Sequence, residues 1–253
     1  MSSHVSLADK VAIVTGGGKG IGRAIALALA DAGADVVVAS RTVGVLEQTA
    51  QEIQAKGREA LAIKTDLNVR EDLDNLIQAT MDKFQRVDIL VNNAATSYLR
   101  PLFDFREDGW DKIFNINVKS IFILGREAAK IMKEQGGGRI INVTTVGAEK
   151  AGLNMGPYHA SKAAVKMLTM CMAAEWAQYK VNVNCVGPGL TRTEFSKPLW
   201  SNPDIYKRVA GNVPYGRIAE PEEIAGAVIF LASEPSGFVT GQSIYVDGGA
   251  SVC

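Results

Sequence analysis

Cysteine is scarce and unpatterned in this chain. Three occur in 253 residues, Cys171, Cys185 and Cys253. An odd number without a CxxC pair argues against both a disulfide framework and a zinc site, so no metal is expected. Neither sign of charge is in excess: Lys+Arg and Asp+Glu stand at 27 each, and no basic run stands out. A nucleic-acid or membrane surface needs a concentrated positive field, so neither is expected as a partner. No apolar run approaches the length of a membrane span. The N-terminal "MSSHVSLADK" lacks the charged-then-apolar layout of a signal segment, and the C-terminal "ASVC" matches neither a prenylation nor a peroxisomal ending. A cytoplasmic location is the resulting expectation. What the chain does have is apolar material, 47% of residues, enough for a sizeable core.

That apolar material is distributed in one repeated rhythm. Short runs, "VAIVT" (11–15), "VVVA" (36–39), "LAIKT" (61–65), "ILVNN" (89–93), "RIINVTT" (139–145), "VNVNCV" (181–186) and "SIYVD" (243–247), alternate with helical stretches. Most are nearly continuous in apolar character, as strands covered on both faces must be. Between them "GRAIALALADAG" and "LEQTAQEIQAKG" carry helical periodicity and close on Gly33 and Gly57. Alternation of β and α over most of the length predicts an α/β, doubly wound parallel sheet with right-handed crossovers. No linker interrupts it. The least regular stretch, about 190–218, holds three prolines and is expected to form a loop or small lid, not a second domain.

The first strand runs directly into Thr15-Gly16-Gly17-Gly18-Lys19-Gly20-Ile21-Gly22. Glycines allow a tight turn and let backbone N–H groups approach a pyrophosphate at the start of the next helix. The strict G-x-G-x-x-G register is not met, since Ile25 stands where its last glycine would be. The strand–turn–helix context still points to a dinucleotide. At the end of the second strand an acid would read a ribose 2′-hydroxyl, and here stand Ser40 and Arg41 instead. A guanidinium suits a 2′-phosphate, and Lys19 in the glycine turn adds a second cation, so NADP(H) is the expected cofactor.

Tyr158 and Lys162 stand four apart at the start of a helical pattern and so share one face. A free phenol titrates near ~10, and a nearby ammonium is expected to lower that value and make the tyrosine a usable acid or base. Alone the spacing says little; Tyr179 and Lys180 show how casually these types meet.

The company of the pair says more. The ordered series TGGGKGIG, "DL" at 66–67, "NNAA" at 92–95, "NINVKS" at 115–120, "YHASK" at 158–162 and "VGPGLTRT" at 186–193 resembles the short-chain dehydrogenase/reductase family, from about residue 9 to the final "GQSIYVDGGA". The resemblance implies a single Rossmann-type domain with a seven-stranded parallel sheet, helices on both faces, and assembly as a homotetramer. It implies Tyr158 as general acid or base, Lys162 as the group that tunes it and holds the nicotinamide ribose, and Asn117, in preference to Asn115, as support for a proton-relay water. Gly16, Gly20, Ile21 and Gly22 would border the phosphates, Asp66 and Leu67 the adenine, Asn93 and Ala94 the ribose, and Pro188, Gly189, Thr191 and Thr193 the carboxamide.

Two positions depart from the family pattern. Thirteen residues before the tyrosine, where serine is usual, the chain has Thr145. Threonine keeps the hydroxyl but adds a methyl group and a stiffer χ1, so a working, more selective site is expected. Ala95 replaces the glycine of "NNAG" and should crowd the cleft only slightly. Elsewhere, His159 is expected to be structural, Cys185 to be buried filler, and Met167, Met170 and Met172 to serve core or subunit packing. Phe195, Leu199 and Trp200 in the irregular stretch suggest a pocket for a substrate with an apolar body. The expected function is hydride transfer between NADP(H) and a carbonyl or secondary alcohol. "GLTRTEFSKPLW" resembles the carbonyl reductases of the dehydrogenase/reductase subgroup. A 3-oxoacyl-thioester, sugar or hydroxysteroid dehydrogenase is the alternative within the family, and a weakly catalytic nucleotide-binding sensor is the alternative outside it.

Overall fold

The computed structural model describes residues 5–252; Cys253 and the first residues of "MSSHVSLADK" lie outside them. Seven strands form one sheet: β1 (Val11–Thr15), β2 (Asp35–Ser40), β3 (Ala60–Lys64), β4 (Ile89–Asn92), β5 (Gly138–Val143), β6 (Val181–Pro188) and β7 (Ser243–Val246). Their order is β3-β2-β1-β4-β5-β6-β7, every neighbour parallel. The seven-stranded doubly wound expectation holds.

The near-continuous apolar runs follow from cover on both faces. Ala12 and Val14 of β1, with Val36 and Val38 of β2, join the core beneath α1 (Gly20–Asp31), α2 (Val43–Ala55) and α8 (Pro221–Ala232). The intervening Ile13, Val37 and Ala39 pack on the opposite face against α3 (Arg70–Phe84), α5 (Ser120–Glu134) and α6 (Gly156–Trp176). Successive strand side chains point to opposite faces, so a strand between two helical layers must be apolar at every position. Cys185 is fully buried, as expected of filler. Met172 is also core, whereas Met167 and Met170 are on the surface.

Two features place the site. Order reverses between β1 and β4, and such a switch point opens a crevice at the carboxyl ends of the strands. Between α4 (Glu107–Phe114) and α5 the chain makes one π-helical turn, Asn115–Lys119. Such wide turns often mark functional positions because they redirect one side chain. The irregular stretch after β6 contains a short turn at Lys197–Leu199 and α7 (Pro203–Gly211). No helix among the described residues is long and apolar enough to cross a membrane.

Candidate active site

The carboxyl ends of the strands enclose one cavity of about 860 Å³. Every residue assigned to the cofactor from sequence lines it, as do Thr145, Tyr158 and Lys162; Asn117 does not.

One end of the cavity is built by the glycine turn. Gly16 (φ 69°) and Gly20 (φ 51°) take the left-handed backbone that favours glycine. Gly22 has a different reason: a Cβ there would lie 2.2 Å from the Gly16 carbonyl oxygen and 2.4 Å from Asn93 Nδ2. The turn is clamped to β4. The Thr15 hydroxyl accepts from the Asn93 and Ala94 backbone N–H groups at 3.0 and 3.2 Å, and Asn93 Nδ2 donates to the Thr15 carbonyl at 2.9 Å. Helix α1 begins after Lys19 with no side-chain cap and no acid in its first turn. By contrast, Asn202 caps α7 and Glu220 and Glu223 form a capping box on α8. Uncapped N–H groups at a helix start, approached without Cβ atoms, suit a pyrophosphate.

Lys19 and Arg41 are both exposed and line the same end. Arg23, in the first turn of α1, is instead taken up by Glu52. Ser40 is half-buried at the end of β2, and its hydroxyl lies 3.4 Å from the Thr42 backbone N–H that it accepts from.

At the other end, α6 presents Tyr158 and Lys162 from one face, with Pro157 in its first turn. Lys162 is 1% exposed, and its Nζ donates to the Val143 carbonyl at 2.7 Å, which fixes it at the end of β5. Its Nζ stands 5.9 Å from the centre of the Tyr158 ring. The expected lowering of the phenol by this ammonium is not what the structure shows. Burial pushes Tyr158 up to about 12 and Lys162 down to about 8, because both charged forms lose hydration in the same dry wall. Tyr158 therefore rests as the phenol, the form that can give a proton.

Thr145 caps the short turn Val146–Ala148. Its hydroxyl accepts from Gly147 N–H at 3.3 Å and donates to the Pro188 carbonyl at 3.4 Å. The second contact is long for an O–H···O bond, so the proton is readily re-aimed at a better acceptor.

Asn117 sits behind this wall, fully buried on the π-helical turn. Its amide nitrogen donates to the Thr96 carbonyl and to Ser161 Oγ, both at 3.0 Å, while its oxygen accepts from Thr96 N–H at 2.8 Å. Ser161 in turn donates to the Tyr158 carbonyl at 2.7 Å. Asn117 thus ties the strand-β4 loop to the helix that carries Tyr158. Ser161 was not singled out from sequence, although it stands inside "YHASK"; nothing local says that its hydroxyl points inward.

The segment after β6 forms the roof. Thr191 Oγ1 donates to the Gly189 carbonyl at 3.1 Å, and Thr193 comes within 3.1 Å of where a Gly20 Cβ would stand. Phe195 faces Tyr158 with ring centres 6.1 Å apart. Trp200 instead packs on its own segment, donating to the Thr193 carbonyl at 3.1 Å beneath Arg192. His159, expected to be structural, lines the cavity as well.

Comparison with known proteins agrees with this geometry. A family model described as enoyl-(acyl carrier protein) reductase matches residues 16–251. Dehydrogenase/reductase SDR family member 4 of Oryctolagus cuniculus is 38% identical over 245 residues, 96% of this chain and 94% of that protein. The 2-dehydro-3-deoxy-D-gluconate 5-dehydrogenase of Escherichia coli (strain K12) is 36% identical over 250 residues, 98% of this chain and 97% of that protein. The crystal structure of a gluconate 5-dehydrogenase from Burkholderia cenocepacia J2315 in complex with NADP and tartrate is similar at a TM-score of 0.94 and 34% identity, covering 99% of this chain and 98% of that one. Matched along nearly its whole length by these relatives and by the family model, the chain belongs to the short-chain dehydrogenase/reductase family of oxidoreductases.

Proposed function

We propose that the protein is an NADP(H)-dependent dehydrogenase/reductase that interconverts a ketone and its secondary alcohol, with Tyr158 as the proton-exchanging group. The observation that carries the reading is the single cavity shared by the uncapped start of α1, the two exposed cations Lys19 and Arg41, and the Thr145–Tyr158–Lys162 wall. When bound, NADP(H) supplies or accepts the hydride. Gly16, Gly20, Ile21 and Gly22 hold its pyrophosphate, and Ser40, Arg41 and Lys19 its adenosine 2′-phosphate. Asp66 and Leu67 flank the adenine and Asn93 and Ala94 a ribose. Pro188, Gly189, Thr191 and Thr193 border the nicotinamide end.

In the reducing direction Tyr158 gives its phenolic proton to the carbonyl oxygen as that oxygen gains charge, and in the oxidising direction it takes the proton back. Thr145 turns its hydroxyl from Pro188 to the same oxygen. The Lys162 ammonium, held by Val143, stabilises the phenolate left behind and reaches the nicotinamide ribose. Asn117 keeps the wall rigid and supports a proton-relay water. Positioned donors at the developing alkoxide account for most of the rate.

Sugar acids are the leading substrate class. Two of the relatives above are named as gluconate-type dehydrogenases, and Lys150, on the same cavity wall, keeps N–H donors for a carboxylate beside its bond to the Ala250 carbonyl. A carbonyl reductase acting on apolar ketones is the second reading, favoured by the Phe195 ring over Tyr158. The segment 190–218 acts as the substrate lid, and four chains assemble as a homotetramer.

The test is NADPH and NADH oxidation with a panel of 5-keto-gluconate, α-diketones, aryl ketones, a 3-oxoacyl thioester and an oxo-steroid. Turnover of the keto-acid with NADPH supports the leading reading, and turnover of aryl ketones alone supports the second. Tight NADPH binding with no turnover of any compound would leave a nucleotide-binding sensor in its place.

Two expected outcomes accompany the panel. Arg41→Asp should weaken NADPH binding by about 10–100-fold, the worth of a charged hydrogen bond, with NADH affected far less. Equal loss of both cofactors would remove Arg41 from 2′-phosphate recognition. Light scattering at micromolar protein should give four times the 27.0 kDa chain mass; the mass of one chain would sink the tetramer.

A further inference from the structure

We infer that His159 is a positioning residue: its imidazole is the template on which the substrate-side loop 146–152 folds, and through Gly147 it sets the direction of the Thr145 hydroxyl. The inference rests on the reading above, in which Thr145 meets the reacting oxygen.

Three contacts converge on this ring. His159 follows Tyr158 on α6, half-buried, with the two ring centres 5.7 Å apart. Its Nδ1 accepts from Gly152 N–H at 3.1 Å. A nitrogen that accepts carries no proton, so this bond belongs to the neutral imidazole with its hydrogen on Nε2. The ring also explains two glycines. Neither Gly147 nor Gly152 has a left-handed backbone that would call for glycine. A Cβ on Gly147 would lie 2.5 Å from His159 Cδ2 and Nε2, and a Cβ on Gly152 2.7 Å from Cε1. The loop thus closes on the imidazole from two sides, and only residues without a Cβ let it come so near.

The link to chemistry is one bond long. Gly147, which packs on the ring, is the residue whose N–H holds Thr145 Oγ1 at 3.3 Å. If the ring goes, Gly147 loses its seat and Gly152 loses its acceptor, so the hydroxyl loses the donor that orients it. The middle of the loop is tethered separately: Glu149 bonds Lys166 of α6 and Tyr245 of β7, and Lys150 donates to the Ala250 carbonyl. His159 governs the two ends, at Gly147 next to Thr145 and at Gly152. Threonine's restricted χ1 makes this sensitivity greater than it would be for serine.

The test is amide hydrogen exchange of wild type, His159→Leu and His159→Asn, free and with NADPH, followed by kcat and KM on any panel compound that turns over. His159→Leu should speed exchange across 146–155 and lower kcat/KM, each by about tenfold, the usual cost of leaving a donor unpaired. Exchange in the glycine turn and NADPH affinity should stay as in wild type. His159→Asn, whose amide oxygen can stand where Nδ1 stands but which lacks the ring edge beneath Gly147, should recover most of the exchange loss around Gly152 and part of kcat/KM. Wild-type exchange in His159→Leu would overturn the inference, as would a loosened loop with unchanged kcat/KM, or an asparagine variant as impaired as leucine. Should His159→Leu not fold, His159→Phe keeps a ring beneath Gly147 without an acceptor for Gly152: exchange at 150–155 should rise while kcat/KM falls less than tenfold, and wild-type exchange there would overturn the inference. If no panel compound turns over, the proposed function fails on its own, while exchange in the NADPH complex still decides whether His159 holds the loop.

Discussion

Tyr158→Phe is expected to lower kcat by about 10²–10⁴-fold, the range for loss of a positioned acid or base. NADPH affinity and the thermal midpoint should stay close to wild type. The substitution removes one oxygen from a ring that is 9% exposed and packed between His159 and Phe195, so the shape of the wall survives. Lys162 keeps its bond to Val143, because that bond does not involve the tyrosine. What disappears is the proton that the proposed mechanism assigns to Tyr158. Measurement of kcat, NADPH affinity by fluorescence titration and thermal unfolding separates the possibilities. Unchanged kcat would remove Tyr158 from the mechanism. A large fall in NADPH affinity or thermal midpoint would mean that the hydroxyl serves structure instead.

Gly22→Ala should be the most damaging single methyl group in the cofactor half. The added Cβ would stand 2.2 Å from the Gly16 carbonyl oxygen and 2.7 Å from its carbon, so backbone must move. The same Cβ would strike Asn93 Nδ2 at 2.4 Å, and that amide is the clamp between the turn and β4. Overpacking of this kind costs about 1–3 kcal/mol or more, which in a chain of this size lowers the thermal midpoint by roughly 2–12 °C. NADPH affinity should fall further than stability alone requires, because the displaced carbonyl belongs to the turn itself. Gly44→Ala is the control. Gly44 lies in α2 with nothing within 4 Å of an added Cβ, and alanine there should be neutral or stabilising by up to about 1 kcal/mol. Equal behaviour of the two variants in calorimetry and NADPH titration would refute the steric account of Gly22.

These two positions also show how far the residues could be read in order along the chain. Gly22 belongs to a local pattern, strand then glycine turn then helix, and its closeness to a phosphate path follows from that pattern. Its clash with Asn93, seventy-one positions away, does not. Tyr158 and Lys162 share a helix face by spacing alone, and the structure keeps them there. The net shift of the phenol nevertheless runs upward, because burial sets it and not the lysine. Spacing reports proximity, whereas the direction of a pKa shift depends on how much water remains, and here burial is the leading cause for both groups. His159 is expected to be structural, and what it supports is visible only in space. A helical wheel turns it away from Tyr158 and Lys162, but a loop folding back from 146–152 extends the cavity wall around the helix to reach it.

What the sequence by itself determined is whatever repeats locally: apolar runs that demand cover on both faces, glycines where the backbone must turn, the order of strand and helix, and the presence of a tyrosine, a lysine and a threonine hydroxyl at family spacing. The tertiary structure alone decided which groups meet across long separations. It put Asn117 on Ser161 and Thr96, Lys162 on Val143, Thr145 between Gly147 and Pro188, and left Lys19 and Arg41 exposed on one cavity. The physical reason is that hydrogen bonds and dehydration act at distances of a few ångströms in space. Backbone periodicity constrains only neighbours a turn or two apart, so it can bring the chemistry to the end of a strand but cannot say what it will touch there.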